Sequence, residues 1–236
     1  MSITENIAAI RANMNAAAIA CGRDPGSILL CAATKMNDAA AVREAIAGGV
    51  DLCGENRVQE LTQKLSQNAY EGAPIHFIGH LQTNKVRQVV GKVDLIQSVD
   101  SLRLLEAINK EAAQQGIRQD ILLEVNIGAE ESKSGFTSDE ILPLAEKFSN
   151  FSNLRLRGLM AIPPIAENPS DNDKFFQEMY NLSVDITRKK GDNVCADILS
   201  MGMSGDYISA ISHGSTMIRV GTAIFGARHY TRNHQN

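Results

Sequence analysis

The sequence contains little of what marks several large classes of protein. Only four of its 236 residues are cysteine and no two of them form a C-x-x-C pair, so a zinc ribbon or a thioredoxin-like motif is not supported. No apolar run approaches the roughly 20 residues that span a bilayer. The net charge of −4 argues against a protein whose main ligand is nucleic acid. We therefore expect neither a membrane nor a nucleic-acid partner.

The N-terminus gives no sign of a targeting segment. Residues 1–14 lack a basic stretch followed by an apolar core, so we expect no secretory signal and predict a cytoplasmic location. The four cysteines lie in or beside apolar segments, and we expect buried, reduced thiols that behave as small hydrophobic residues. They are Cys21, Cys31, Cys53 and Cys195.

Short apolar runs alternate with longer amphipathic segments along the chain. Several runs are almost continuously apolar, which is typical of parallel strands buried on both faces. Eight such strands with helices between them predict a single domain over residues 1–236, a (β/α)8 TIM barrel rather than an open sheet. The predicted strands are 28–34, 51–54, 75–79, 95–99, 121–127, 156–161, 198–201 and 217–225.

The helical patterns include one that precedes the barrel. A capping box at residues 2–5 and an apolar stripe behind it predict an extra N-terminal helix. We predict that the polar tail, residues 231–236, is disordered. The other predicted helices are 39–47, 57–67, 83–90, 101–115, 138–148 and 172–190, with a short helix within 206–213.

Lys35 follows the first predicted strand. The working face of a TIM barrel lies at the carboxyl ends of its strands, so the Lys35 amine is expected at the barrel mouth. A lysine in partly apolar surroundings loses some of its preference for charge, and the neutral amine can attack a carbonyl carbon. Taken alone, a lysine at this place is more often a solvated residue that ends a strand.

Two loops rich in small residues follow the seventh and eighth strands, at 202–205 and at Gly221-Thr222. These loops form the common phosphate site of the fold, and a helix N-terminus favours an anion. When the barrel closes, strand one pairs with strand eight, which brings Lys35 next to the loops. A Schiff-base lysine beside a phosphate pocket narrows the ligand to pyridoxal 5′-phosphate (PLP) or a sugar phosphate.

Seven segments together resemble one family. They are ATK at 33–35, GENRVQE at 54–60, HFIGHLQTNK at 76–85, SKSGF at 132–136, RGLMAIPP at 157–164, LSMGMSGD at 199–206 and HGSTMIRVGTAIFGAR at 213–228. With them the sequence resembles the YggS/PROSC family of PLP homeostasis proteins, which are similar to the barrel domain of alanine racemase standing alone. The resemblance extends over the whole predicted barrel.

The resemblance implies that PLP is the cofactor and is held as a Schiff base. It implies that Lys35 forms the bond, that Ser204, Gly221 and Thr222 bind the phosphate, that Arg219 donates to the pyridine nitrogen, and that Asn56 and His80 are pocket residues. No catalytic residue and no metal ligand is assigned. His76 and His80 are four residues apart but flank a strand end, where they do not share a helical face.

Arg219 and the missing second domain both argue against an enzyme. An arginine cannot accept a proton from the pyridine nitrogen, so it favours a neutral ring that is a weaker electron sink. In the racemases a tyrosine from another domain supplies the second acid–base group, and this chain ends soon after strand eight. We therefore expect a monomer that buffers PLP or delivers it to PLP-dependent apo-enzymes.

Several alternatives stay open at this point. The same lysine also suits an amino-acid racemase or decarboxylase, a Schiff-base aldolase for a phosphosugar, or an interaction module with PLP as a structural ligand. Lys133 in Ser-Lys-Ser-Gly is either a solvated loop lysine or a transient acceptor of PLP near the mouth.

Overall fold

Eight parallel strands close into a barrel in the computed structural model, which describes residues 2–130, 132–165, 167–189 and 191–226. Each strand pairs with the next along the chain, and the first pairs with the eighth. The strands are β1 (Leu29–Ala33), β2 (Leu52–Glu55), β3 (Ile75–Phe77), β4 (Leu95–Val99), β5 (Gln119–Val125), β6 (Leu154–Ala161), β7 (Val194–Ser200) and β8 (Met217–Val220).

Helices surround the barrel. Four 3-10 segments, Pro25–Ser27, Thr83–Gln88, Phe148–Asn150 and Pro169–Asn172, complete the described connections. In the described part of the chain, no helix combines the length and the apolar character needed to cross a membrane. The helices are α1 (Ile3–Ala20), α2 (Ala39–Ala47), α3 (Val58–Ser66), α4 (Leu102–Gln115), α5 (Ser138–Glu146), α6 (Asp173–Thr187), α7 (Tyr207–Ser212) and α8 (Thr222–Phe225).

The predicted N-terminal helix is confirmed as α1. Its capping box is complete, since Ser2 Oγ accepts from the Glu5 N–H at 3.2 Å and the Glu5 carboxylate accepts from the Ser2 N–H at 2.8 Å. Such a cap stabilises a helix by about 1 kcal/mol. Ile7 is fully buried on the face that packs against β1 and β8. The Asn6 side chain donates to the Ile224 carbonyl at 2.8 Å, which ties α1 to α8.

The barrel interior holds both apolar and polar side chains. Cys31, Leu52 and Met217 form one buried cluster inside the barrel. Because strand side chains alternate between faces, the residue two positions beyond each of these also faces the interior. From Met217 this rule leads to Arg219, and from Cys31 it leads through Ala33 toward Lys35. The candidate site is therefore built at the carboxyl ends of the strands.

Three predicted elements are wrong in type or extent. The strand predicted at 217–225 ends at Val220, because Gly221 starts a helical turn. An apolar run cannot be assigned to strand or helix by periodicity alone. The segment predicted as an α-helix at 83–90 is a 3-10 helix, Thr83–Gln88, and β7 begins at Val194 rather than at 198. The predicted short helix within 206–213 is confirmed as α7.

The expectation for the cysteines is half wrong. Cys31 and Cys53 are buried, whereas Cys21 and Cys195 are exposed. Cys21 lies just beyond the last residue of α1, and Cys195 is an exposed residue of β7. The tail for which we predict disorder, residues 231–236, lies outside the described residues.

Candidate cofactor-binding site

Lys35 lies two residues past the end of β1, at the barrel mouth. Cys31, on the same strand face, belongs to the interior cluster, so strand alternation directs Ala33 and then Lys35 to the inside. Lys35 is half-buried. An amine there is shielded in part from water yet reachable from the mouth, as a nucleophilic lysine requires.

A buried ion pair supports the backbone that carries Lys35. Glu55, fully buried at the end of β2, accepts from Lys64 Nζ at 2.6 Å and from Tyr70 Oη at 3.2 Å. The Thr34 hydroxyl donates to the same carboxylate oxygen, and Lys64 Nζ donates to the Thr34 carbonyl at 2.7 Å. Burial, followed by the negative charge of Glu55, raises the pKa of Tyr70 well above its usual range. The backbone at Thr34, directly before Lys35, is thus fixed by Glu55 and Lys64.

The sequence reasoning did not find this network. In the sequence, Glu55 is a polar residue directly after the predicted strand 51–54, and Lys64 belongs to the predicted helix 57–67. A glutamate at the end of a buried strand, nine residues before a lysine in the following helix, is the sequence pattern that indicates it. Buried charges of this kind are nearly always paired.

The loops after β7 and β8 meet beside β1. The Ser204 hydroxyl accepts from the Ala223 N–H at 3.3 Å, which joins the two loops. A Cβ added at Gly221 would lie 3.4 Å from the Ala33 Cβ and carbonyl oxygen, so this glycine lies close to β1. Gly221 and Thr222 begin α8, where the first N–H groups of a helix have no partner within the helix. A hydroxyl and backbone donors therefore converge near Lys35.

Arg219 is buried inside the barrel with 4% of its surface exposed. Its Nη1 donates to Ser200 Oγ at 2.6 Å and its Nη2 donates to the Ala161 carbonyl at 2.8 Å. Among the described residues, Arg219 takes part in no ion pair. Burial lowers the pKa of Arg219 from its ordinary value, although Cys31 raises it. Because the guanidinium has further N–H groups beyond these two bonds, it can donate to a ligand that accepts a hydrogen bond.

Glu124 adds a carboxyl group to the same interior. It lies on β5 two residues beyond Leu122, which belongs to an interior cluster. Burial raises the pKa of Glu124 to about 7, helped by Asp100 and opposed by Arg219. This carboxyl group therefore changes its charge near neutral pH. The sequence reasoning did not single it out.

Asn56 and His80 lie in different surroundings. The Asn56 side-chain oxygen is buried and has no hydrogen-bond partner in the structure, so it is open to a donor from a ligand. His80, with 63% of its side chain exposed, contacts Asp100 through Nδ1 at 2.9 Å. The structure thus groups His80 with Asp100 at the exits of β3 and β4, while its assignment as a pocket residue stays a prediction.

The described residues fit PLP but show no metal site. An amine, converging phosphate donors, a buried donor in Arg219 and an orphaned acceptor on Asn56 match the aldehyde, phosphate and ring of the cofactor. Within the described residues, no group of three histidine, cysteine, aspartate or glutamate side chains can hold a metal ion. Lys133 pairs with Glu130 beside the mouth and donates to the Pro163 carbonyl at 3.4 Å.

Comparison with known proteins identifies close relatives. Residues 6–229 match the family described as alanine racemase, N-terminal domain. The chain is 41% identical to a Pseudomonas aeruginosa protein named pyridoxal phosphate homeostasis protein, over 97% of each chain. It is similar in structure to PipY of Synechococcus elongatus with PLP bound, with a TM-score of 0.81 and 31% identity over 95% of this chain and 100% of PipY.

A more distant likeness concerns the fold alone. Alanine racemase of Clostridium difficile matches 97% of this chain but the chain matches only 58% of that enzyme, with a TM-score of 0.69 and 16% identity. The barrel is thus shared, and the match leaves much of the racemase without a counterpart. By its family match and its full-length relatives, the chain belongs to the family of pyridoxal phosphate homeostasis proteins, built on the alanine racemase N-terminal barrel.

Proposed function

We propose that this chain binds PLP as a Schiff base on Lys35 and serves PLP homeostasis, holding the cofactor and delivering it without turning over a substrate. The observation that carries the proposal is that the end of β1, the loop after β7 and the start of α8 lie next to one another. Gly221 lies against Ala33, two residues before Lys35, and Ser204 is joined to α8. The name of the Pseudomonas aeruginosa relative and the PLP bound to PipY support the same ligand.

Each proposed role follows from the chemistry of a side chain. The neutral Lys35 amine adds to an aldehyde carbon, and one water molecule leaves as the carbon–nitrogen double bond forms. Ser204, Gly221 and Thr222 donate hydrogen bonds to the phosphate, which fixes the cofactor at its far end. Arg219 donates to the ring nitrogen and, because it stays protonated, keeps that nitrogen unprotonated.

Release is the reverse of the same step. Water would return the free aldehyde and the Lys35 amine, and a second amine would instead take the aldehyde carbon over as a new imine while Lys35 regains its amine. A cleft of about 510 Å³ lies beside the loop after β7, and Lys133, Pro163 and Met203 are among the residues that line it. A bond that forms and breaks in this way suits a carrier of a reactive aldehyde.

The positions of the tyrosines support a carrier rather than a racemase. Racemisation needs an acid–base group on each face of the substrate carbon. The Tyr70 hydroxyl contacts Glu55 behind the strands, and the Tyr207 hydroxyl contacts Asn13 on α1. Tyr180 lies on α6, outside the barrel, and Tyr230 is beyond the described residues. No described tyrosine therefore faces the Lys35 amine from across the mouth.

We also propose that the chain acts as a single-domain monomer in the cytoplasm and that its recipients are PLP-dependent apo-enzymes. The absence of a basic excess, with a net charge of −4, agrees with a small-molecule ligand and no nucleic-acid partner. Light scattering of the loaded and the empty protein measures the oligomeric state directly, and a mass twice that of the chain in either form contradicts the monomer.

Delivery and turnover are tested together. The PLP-loaded protein is freed of unbound PLP and mixed with the apo form of a PLP-dependent aminotransferase, and the regained activity is followed. In parallel, a panel of L-amino acids is incubated with the loaded protein and analysed by chiral chromatography. We expect activity to return in the first assay and the amino acids to stay unchanged in the second. The Lys35→Ala variant, treated in the same way, is expected to deliver little PLP.

Other outcomes contradict the proposal. If the loaded protein converts an amino acid and the Lys35→Ala variant does not, the protein is a racemase or decarboxylase that uses the same lysine. A protein that acquires no visible absorption band with PLP contradicts the cofactor and leaves a phosphosugar aldolase as the alternative. A loaded protein that never releases PLP contradicts delivery and favours a structural role for the ligand.

A further inference from the structure

A chain of hydrogen bonds leads from Arg219 across the barrel interior. Arg219 Nη1 donates to Ser200 Oγ at 2.6 Å, and Ser200 Oγ donates to Gln97 Oε1 at 2.7 Å. Gln97 Nε2 lies 2.8 Å from His76 Nδ1 and 3.1 Å from Met217 Sδ. Ser200 and Gln97 are fully buried and His76 is 7% exposed. Four strands, β3, β4, β7 and β8, are linked in this way.

The bond directions along the chain are consistent with one another. Arginine has no acceptor, so Ser200 Oγ must accept from it and is left with its own proton to donate. That proton goes to Gln97 Oε1, which orients the amide and turns its NH2 group toward His76. His76 Nδ1 must then accept, so its ring proton resides on Nε2.

The surroundings of His76 agree with this tautomer. Burial, the largest influence, lowers the pKa of His76 from its ordinary value to about 4. The carboxylates of Asp94 and Asp120 oppose the shift, and Arg157 adds to it. A neutral imidazole can accept at Nδ1, whereas a protonated one can only donate. His76 therefore presents an acceptor to Gln97 throughout the neutral range of pH.

Such a chain is unusual in the place where it occurs. The interior of a TIM barrel is normally filled by bulky branched side chains in layers. Polar groups buried there destabilise the fold unless each is hydrogen-bonded, and a fully connected set restricts its members to one arrangement. Part of this barrel interior is apolar, as the buried cluster of Cys31, Leu52 and Met217 shows.

We propose that Ser200, Gln97 and His76 are positioning residues for Arg219, holding its guanidinium in one orientation toward the cofactor ring and thereby setting PLP affinity and spectrum. This inference rests on the proposed function, because it requires the ring nitrogen to lie at Arg219. The second bond of the guanidinium, from Nη2 to the Ala161 carbonyl, fixes its other end. With both bonds in place, rotation of the planar group is restricted and its remaining N–H groups keep a constant direction.

The test compares two serine substitutions on barrel strands. Ser200→Ala removes the acceptor for Arg219, whereas Ser98→Ala removes an equally buried hydroxyl that donates to the Gly79 carbonyl and lies outside the chain. We expect Ser200→Ala to weaken PLP binding about tenfold, because the guanidinium of Arg219 then has to be ordered when the cofactor binds. We also expect the visible absorption band of the loaded Ser200→Ala variant to shift in wavelength or to titrate at a different pH. The Ser98→Ala variant is expected to keep the PLP affinity and the absorption band of the wild type.

A second variant keeps the barrel filled. Gln97→Glu preserves the size of the side chain but presents a carboxyl group to His76 Nδ1. A negative charge within hydrogen-bond distance favours the protonated imidazole, so we expect the pKa of His76 to rise by about one unit or more. NMR titration of the empty protein measures this shift and does not depend on PLP. Gln97→Glu is also expected to move the visible band of the loaded protein, because the new charge reorients the chain.

The outcomes separate the inference from the proposed function. A wild-type protein that gains no visible band with PLP contradicts the proposed function itself. A wild-type protein that gains the band, together with Ser200→Ala and Ser98→Ala variants that behave alike, contradicts only the positioning role. An unchanged pKa of His76 in Gln97→Glu contradicts the contact between residue 97 and His76, and with it the last step of the hydrogen-bond chain.

Discussion

The buried pair of Glu55 and Lys64 gives the sharpest prediction for stability. We consider Lys64→Met, which keeps an unbranched side chain of similar length and removes the charge. In the native protein Lys64 Nζ donates to Glu55 Oε1 at 2.6 Å and to the Thr34 carbonyl at 2.7 Å. The substitution leaves Glu55, 0% exposed, with the hydroxyls of Thr34 and Tyr70 alone.

The expected loss is large because a buried carboxylate remains without its cation. Removal of one partner from a buried ion pair destabilises a protein by about 3–5 kcal/mol. When Glu55→Gln is added, no charge is left to bury, and replacement of both partners of such a pair is often nearly neutral. We therefore expect the double variant to be more stable than Lys64→Met, with a coupling of about 1–3 kcal/mol between the two sites.

Urea unfolding followed by circular dichroism measures the free energy of unfolding of each variant. Lys189→Met is the matched control, since Lys189 also forms an ion pair at 2.6 Å, with Glu146, but at the surface. Exposed pairs contribute little to stability, so only a small change is expected there. If Lys64→Met loses no more stability than Lys189→Met, or if the double variant is as unstable as the single one, the reasoning is refuted.

Three further predictions concern packing, protonation and reactivity. A Cβ at Gly79 would lie 2.2 Å from the Asn56 carbonyl oxygen, so Gly79→Ala should lower the free energy of unfolding by about 1–3 kcal/mol in urea, whereas Gly205→Ala, with open space around it, should not. The pKa of His76 falls from 6.5 to about 4 on folding, so the unfolded chain binds this proton first as the pH falls. The free energy of unfolding should then fall by roughly 3 kcal/mol as the pH is lowered from 6.5 to about 4 in the wild type, and by less in His76→Gln. If the free energy of unfolding depends on pH equally in both proteins, the lowered pKa of His76 is contradicted. Burial raises the pKa of Cys53 to about 12 and that of Cys31 further, so a thiol reagent should label only two sites rapidly in the native protein, Cys21 and Cys195.

The sequence predicts the architecture well because parallel barrel strands leave a strong pattern. The runs around Cys31 and Ile121 are apolar on both faces, and strands of that kind require helices on the outside. Closure of the barrel, which pairs β1 with β8, brings the end of β1 next to the loop after β8, as expected. The end of β8 was misassigned because the run beyond Val220 stays apolar while the backbone turns at Gly221.

The polar support of the site is harder to predict. Ser200 and Gln97 are separated by 103 residues, and nothing local distinguishes them from polar strand residues that face solvent. Their contact depends on the closed barrel, which places both side chains on its inner face. Lys64 looks solvated for the same reason, because helical periodicity does not reveal which carboxylate it reaches across the layer.

The central claim is that Lys35 carries PLP, and one measurement tests it most directly. The purified protein is incubated with PLP, reduced with borohydride, digested and analysed by mass spectrometry to locate the lysine that bears the pyridoxyl group. We expect the modification on the peptide that contains Lys35, and its disappearance in Lys35→Ala. A modification found mainly on Lys133 or spread over surface lysines contradicts the claim.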